Sequence, residues 1–466
     1  MDECLRYTQL RVEAALRQLE VMQDRSLQFP DGQEALKRIR SEWVSNVETL
    51  KRAPTNSRRI SAAHCFKALG DLRYFMPFAG MISRSTAVRN PFELYGPLRL
   101  MANTLLERPG AGVTRTPIRL ILSSNWDYTP QTTRQLKRLS DFVFIILPGC
   151  EASNPLLIPL AGHELGHAVW EREKISVKLE KAYALKVTKF LLDNRAAFPE
   201  VKLDGKLDAE KIRERLETEK PKNSTYTEAC ELVRRQLEEF FCDFVGLYLF
   251  GESFLHAFAY FLSPDFPAPR SPKYPTVRIR LEQLSKARTR FAREWGKDIY
   301  PKPPDVRELF EERAVDFEEP RTRQQNVQQR RLLEKGIDDI AAAMTNRLLD
   351  VIVDLGKRKN WTQLRNFDEA TRKKILNQRF RWAVPAEAAG SMANILNAAW
   401  DVERDRHFWD NHPSLAGDLD KLEKEDHAKA REIRERRREA LYDLALKNLE
   451  VLEYEYIISQ PLSEPC

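Results

Sequence analysis

The chain holds seven histidines, and two of them, His163 and His167, bracket Glu164 in the stretch AGHELGHAVW (161–170). On an α-helix, positions i and i+4 project from one face about one turn apart. Two imidazoles so placed can reach a single metal ion, and the carboxylate between them stands close to a water held by that ion. The chemistry expected is that of a hydrolytic zinc centre. Zinc lowers the pKa of a water from near 16 to about 7, and Glu164 takes up and later returns the proton. The plainer alternative is a helix carrying two partly buried, hydrogen-bonded histidines.

A catalytic zinc keeps three protein ligands and one open position. A third histidine from the H-E-x-x-H-x-x-G-x-x-H pattern is excluded, because AVWEREKIS follows His167. An aspartate elsewhere in the chain stays open, although no local sequence marks one. A glutamate from a second helix is supplied by RRQLEEFFCDFVGLYLFG, in which Glu239 and Asp243 share a helix face as E-x-x-x-D. Glu239 is then the expected third ligand. Asp243 is expected to accept the spare N–H of a ligand histidine and so fix its tautomer. Glu238 is the rival ligand, one position off. The competing reading, that these acids cap or solvate an amphipathic helix, has to leave carboxylates unpaired among apolar neighbours, which is costly.

HELGH, then EEFFCDFVG, then SPKYPTVRIRL together resemble the gluzincin metallopeptidases, and most of all their HtpX and CAAX-prenyl endopeptidase branch. There H-E-x-x-H is followed by E-x-x-x-D and then H-P-x-x-x-x-R. In this chain Pro275 and Arg280 fall in register, while Tyr274 stands where the family has histidine. The resemblance spans roughly residues 117–282. It implies a zincin-like core with zinc on His163, His167 and Glu239, Glu164 as general base, and Asp243 behind a ligand. It further implies Tyr274 or Arg280 as donors to the oxyanion, and a peptide substrate lying as an added strand along the upstream sheet. The membrane helices of that branch have no counterpart in the sequence.

The elements that must position these residues follow from hydrophobic spacing. IRLILSS (118–124) and DFVFIILP (141–148) read as short buried strands. The rest reads as helix, so the expected fold class is mainly α with a small sheet preceding the H-E-x-x-H helix. Leu5, Val12, Ala15, Leu16, Leu19 and Met22 recur at helical spacing near the N-terminus, and Ile337, Ile340, Ala341, Met344, Leu348, Val351, Ile352 and Leu355 do so later. Residues 171–222 form a charged helical insertion, 228–263 are apolar helices, and 263–281 are a proline-studded loop. The basic run Arg434–Arg438 is read as a solvated helix face, with nucleic acid as the alternative.

At 466 residues the chain exceeds one ordinary core. We expect an N-terminal helical region (1–106), a metallopeptidase core (107–299) and a C-terminal helical domain (300–466). Only 17 glycines argue against a turn-rich all-β architecture, and a net charge of +7 from 76 basic and 69 acidic residues suggests intermixed surface charge. Six scattered cysteines without a C-x-x-C pair, and an N-terminus without a signal-like apolar run, suggest a reduced, cytoplasmic protein. No uninterrupted apolar run reaches membrane-spanning length. The expected function is a zinc-dependent endopeptidase acting on a protein or peptide substrate. Its helical flanks are expected to answer to a regulatory protein or a nucleic-acid trigger. The alternative is a non-catalytic scaffold with a structural or vestigial zinc site, against which the intact Glu164 counts.

Overall fold

Strand IRLILSS is buried at every described position from Leu120 to Ser124, and FVFIILP is buried throughout. In the computed structural model these become β1 (Arg119–Asn125) and β3 (Phe142–Pro148), joined in parallel with Arg119 opposite Phe142 and Asn125 opposite Pro148. A short β2 (Gln131–Thr132), not foreseen from the sequence, pairs antiparallel with β3 and gives the order β1-β3-β2. The structure describes residues 3–23, 27, 29–54, 58–85, 92–106, 118–125, 131–132, 138–151, 153–199, 224–262, 273–295, 324–361, 364, 369–376, 391–405, 407–410, 412 and 415–459. The break at 107–117, the end of the charged segment (200–223), most of the proline-rich loop (263–272) and the linker at 300–305 lie outside these residues.

The other described elements are helices, so the protein is mainly α. In chain order they are α1 (Glu3–Gln23), α2 (Pro30–Lys51), α3 (Arg58–Ser83), α4 (Tyr95–Leu106), α5 (Leu160–Arg172), α6 (Ile175–Asp193), α7 (Ser224–Phe250), α8 (Glu252–Leu262) and α9 (Val277–Trp295). They continue as α10 (Gln324–Ala343), α11 (Thr345–Arg358), α12 (Glu369–Lys374), α13 (Met392–Arg404), α14 (Leu419–Glu425) and α15 (His427–Ser459). Among the described residues no helix is long and apolar enough to cross a membrane.

The chain divides into two units, one of Met1–Asn103, Gly110–Asn154 and Leu452–Cys466, the other of Thr104–Pro109 and Pro155–Val451. In the first, α1, α2 and α3 pack on one another around Leu5, Val12, Leu19, Ile39, Trp43 and Phe75, and the cluster continues into Ile121, Phe142 and Phe144 of the strands. Three outward backbone groups of β1 are taken by side chains. Asp31 Oδ2 accepts from Leu120 N (2.8 Å), Ser85 Oγ donates to the Leu122 carbonyl (2.5 Å), and Arg84 Nε donates to the Ser124 carbonyl (3.1 Å). These bonds occupy part of the β1 edge, one of the two edges of the sheet.

In the second unit α7 is the central helix. From Gln236 to Phe250 every side chain except Glu239 is buried, and α5, α6, α8, α9, α10, α11 and α13 all pack against it. A helix apolar around its whole girth belongs inside a fold. Phe240, Phe241, Phe244 and Phe250 are fully buried there, each contributing about 1.5–3 kcal/mol. Gly251 ends α7 in the left-handed region (φ 62°), open to glycine at no steric cost, and its N–H bonds the Leu247 carbonyl at 2.8 Å. α6, read from sequence as part of an excursion, buries Ile175, Leu179, Tyr183, Val187 and Leu191 against neighbours that include α7. From α10 as far as Val451 in α15 the chain belongs to the same unit, so the observed division differs from the segments 1–106, 107–299 and 300–466. The apolar stripe at 337–355 is split between α10 and α11 at Met344.

Candidate metal centre

The motif AGHELGHAVW forms α5, and its two glycines face α7. A Cβ on Gly166 would stand 2.7 Å from Cys242 Cα, and one on Gly162 would stand 3.0 Å from Gly246 Cα. The backbones therefore touch at two points four residues apart on each helix. That contact brings the histidine face of α5 against the acidic positions of α7. The G-x-x-x-G spacing was legible in the sequence, but nothing there said which helix it would meet.

All four ring nitrogens of the two histidines face carboxylates of α7. His163 Nδ1 lies 2.8 Å from Asp243 Oδ1, and His167 Nδ1 lies 3.1 Å from Glu238 Oε1. On the other side, His163 Nε2 is 3.6 Å from Glu239 Oε2 and His167 Nε2 is 3.9 Å from Glu239 Oε1. Carboxylates accept, so the Nδ1 of each ring carries a proton toward its partner, and the Nε2 atoms are the ones that face Glu239. Ligands about 2.0–2.1 Å from one tetrahedral zinc stand roughly 3.3 Å apart, and each Nε2 lies somewhat farther than that from its own oxygen of Glu239.

A second grouping overlaps it: side-chain donor atoms of His163, His167 and Cys242 lie within 4.8 Å of one another. Glu239 is not in that grouping. Cys242 Sγ lies 3.2 Å from the Cβ position of Gly166, against the α5 backbone, whereas the Glu239 carboxylate faces both Nε2 atoms. Burial, followed by Glu239, Glu238 and Asp243, also pushes the Cys242 thiol well up from its ordinary pKa.

Glu164 is buried on α5. Burial raises its pKa, His163 and His167 pull it back, and Glu239 adds to the rise, which sets the four groups within electrostatic reach. His167 is shifted upward: burial opposes its charge, but the Glu238 hydrogen bond, Glu239 and Glu164 outweigh it.

The third motif is the start of a helix, not the end of a loop. Thr276 Oγ1 accepts from Ile279 N at 3.3 Å, the bond of an N-cap, and α9 begins at Val277. One turn in, Arg280 donates to both oxygens of Asp243, from Nε to Oδ2 at 2.8 Å and from Nη2 to Oδ1 at 2.6 Å. Its guanidinium also lies over the Phe258 ring at 4.7 Å. Burial would raise the Asp243 carboxyl, but Arg280 and then His163 hold it below the usual range. The arginine expected at the oxyanion thus has two of its N–H groups committed to Asp243. Tyr274 stands on the turn before α9 with 53% of its surface exposed.

Glu238 is buried and bonds Nδ1 of His167, on the side of the ring away from Glu239. Three arginines of the basic run have partners, and Arg436 is exposed. Arg434 pairs with Glu423, Arg438 approaches Glu403 at 3.9 Å, and Arg437 is buried on the carbonyls of Leu415 (2.9 Å) and Gly417 (2.8 Å). No protein-family model, curated protein or solved structure matches this chain.

Proposed function

We propose that the protein is a zinc-dependent peptidase of the gluzincin kind. The observation that carries this reading is the Glu239 carboxylate facing both Nε2 atoms, with both Nδ1 atoms held by other carboxylates and Glu164 buried beside the set. His163, His167 and Glu239 would hold the zinc, which supplies Lewis acidity toward a water and a peptide carbonyl. Glu164 acts as the base. A carboxyl raised by burial and steadied by two imidazoles accepts a proton from the attacking water at its oxygen and returns it to the leaving amine. Asp243 keeps His163 in the Nδ1–H tautomer, and Arg280 keeps Asp243 ionised and in place. Tyr274 is the remaining candidate donor to the oxyanion.

The deciding comparison is wild type against Glu164→Gln, using a peptide library digested in the presence of zinc and read by mass spectrometry. The variant should keep its zinc and its melting temperature while cleavage falls at least about 100-fold, the scale of general-base loss. Equal cleavage by both proteins removes Glu164 from the chemistry. Equal performance in cells, with zinc bound and no cleavage by either, establishes the scaffold reading.

A further inference from the structure

The E-x-x-x-D pattern accounts for one outer-side contact, Asp243 on His163. The structure contains a second on the other histidine. Glu238 Oε1 meets His167 Nδ1 at 3.1 Å, and Glu238 Oε2 takes Arg234 Nη1 at 3.3 Å, with Arg235 Nη1 at 3.8 Å. The pattern repeats that of His163, whose carboxylate is likewise held from behind by an arginine, Arg280. Glu238 has a side chain only 2% exposed, so its charge depends on partners, and one oxygen serves the imidazole while the other serves the guanidinium.

We infer that Glu238, held by Arg234, is a positioning residue that fixes the tautomer and orientation of His167, so that the centre has a carboxylate–arginine pair behind each histidine. The inference rests on the proposed metal site and extends it to residues outside the E-x-x-x-D pattern. Its physical basis is that a carboxylate behind an imidazole leaves only Nε2 to bind metal and makes that nitrogen a stronger donor. A glutamine at 238 cannot serve both partners alike. If its oxygen turns to Arg234, its amide donates to Nδ1 and drives the proton of His167 to Nε2.

The test uses the full chain stripped of metal, with long-range ¹H–¹⁵N correlation of the imidazole rings. Wild type should show both histidines as Nδ1–H. Glu238→Gln should move His167 toward Nε2–H and leave His163 unchanged, while Asp243→Asn should do the reverse. Zinc affinity, measured by competition with a chromophoric chelator, should fall about 10–100-fold in Glu238→Gln. Arg234→Ala should act in the same direction, and as the less buried member of the pair it carries the test if Glu238→Gln fails to fold. An unchanged His167 tautomer, with zinc affinity within about twofold of wild type, overturns the inference. Retention of zinc by Glu239→Ala would instead count against the ligand set, and the His167 tautomer would still decide the role of Glu238.

Discussion

Replacing Gly166 by alanine adds one methyl at the point where α5 and α7 touch. That carbon would stand 2.7 Å from Cys242 Cα and 3.1 Å from Cys242 Cβ. Carbon atoms rest about 3.5–4.0 Å apart, so the helices must separate locally by about 1 Å, and a backbone atom cannot swing aside as a side chain can. Overpacking of this kind costs about 1–3 kcal/mol, and alanine regains about 1 kcal/mol in helix propensity, leaving a net loss of about 0–2 kcal/mol. The centre is affected more than the fold. Gaps of 3.6 and 3.9 Å between Glu239 and the two Nε2 atoms would open to roughly 4.5–5 Å, far from the ~3.3 Å of donors around one zinc. Zinc affinity should therefore fall at least about 10-fold, measured by chelator competition, while urea unfolding of the metal-free protein shows a loss of no more than about 2 kcal/mol. Gly70, exposed on α3 with nothing within 4 Å of its Cβ position, is the control. Gly70→Ala should stabilise the protein by about 1 kcal/mol and leave zinc binding alone. If Gly166→Ala also stabilises and binds zinc like wild type, the close approach of α5 and α7 does not set the donor geometry.

Arg280→Ala leaves the buried Asp243 carboxylate with His163 as its remaining partner in the centre, and should destabilise the metal-free protein by about 3–5 kcal/mol in urea unfolding. Adding Asp243→Asn should restore part of that loss, and a single-variant change under about 0.5 kcal/mol would contradict the assigned pairing. In the other unit, burial and then Glu93 push the Glu453 carboxyl up to about 7, against the pull of Gly96 N–H and Arg99. A carboxyl raised on folding binds its proton more tightly in the native state. Its favourable contribution is complete below the unfolded value near 4.5 and is lost as pH rises through about 7. Glu453→Gln should therefore gain on wild type between pH 5 and pH 8 in thermal melts, and parallel curves would show that this carboxyl titrates normally.

The local sequence determined the elements and most of the donor set. Short apolar, β-branched runs located both longer strands, and 3.6 spacing located helices, because a buried helix face must repeat with the geometry of its backbone. Four-residue spacing put His163 with His167, and Glu239 with Asp243, on common faces for the same reason. What no local pattern contained was which nitrogen meets which oxygen. Glu238 and Glu239 are adjacent on a helix and differ by about 100° in direction. Only the placement of α5 on α7, fixed by Gly162, Gly166, Cys242 and Gly246, sends Glu239 to the inner nitrogens and Glu238 to an outer one. Arg280 was legible as part of a motif, yet its partner Asp243 lies 37 positions away, and the choice between oxyanion and carboxylate depended on where the Thr276 cap starts α9. The division of the chain was tertiary as well. A proline-rich linker signals a break in secondary structure, but α10, α11 and α13 rejoin the same core because α7 offers an apolar surface on every side.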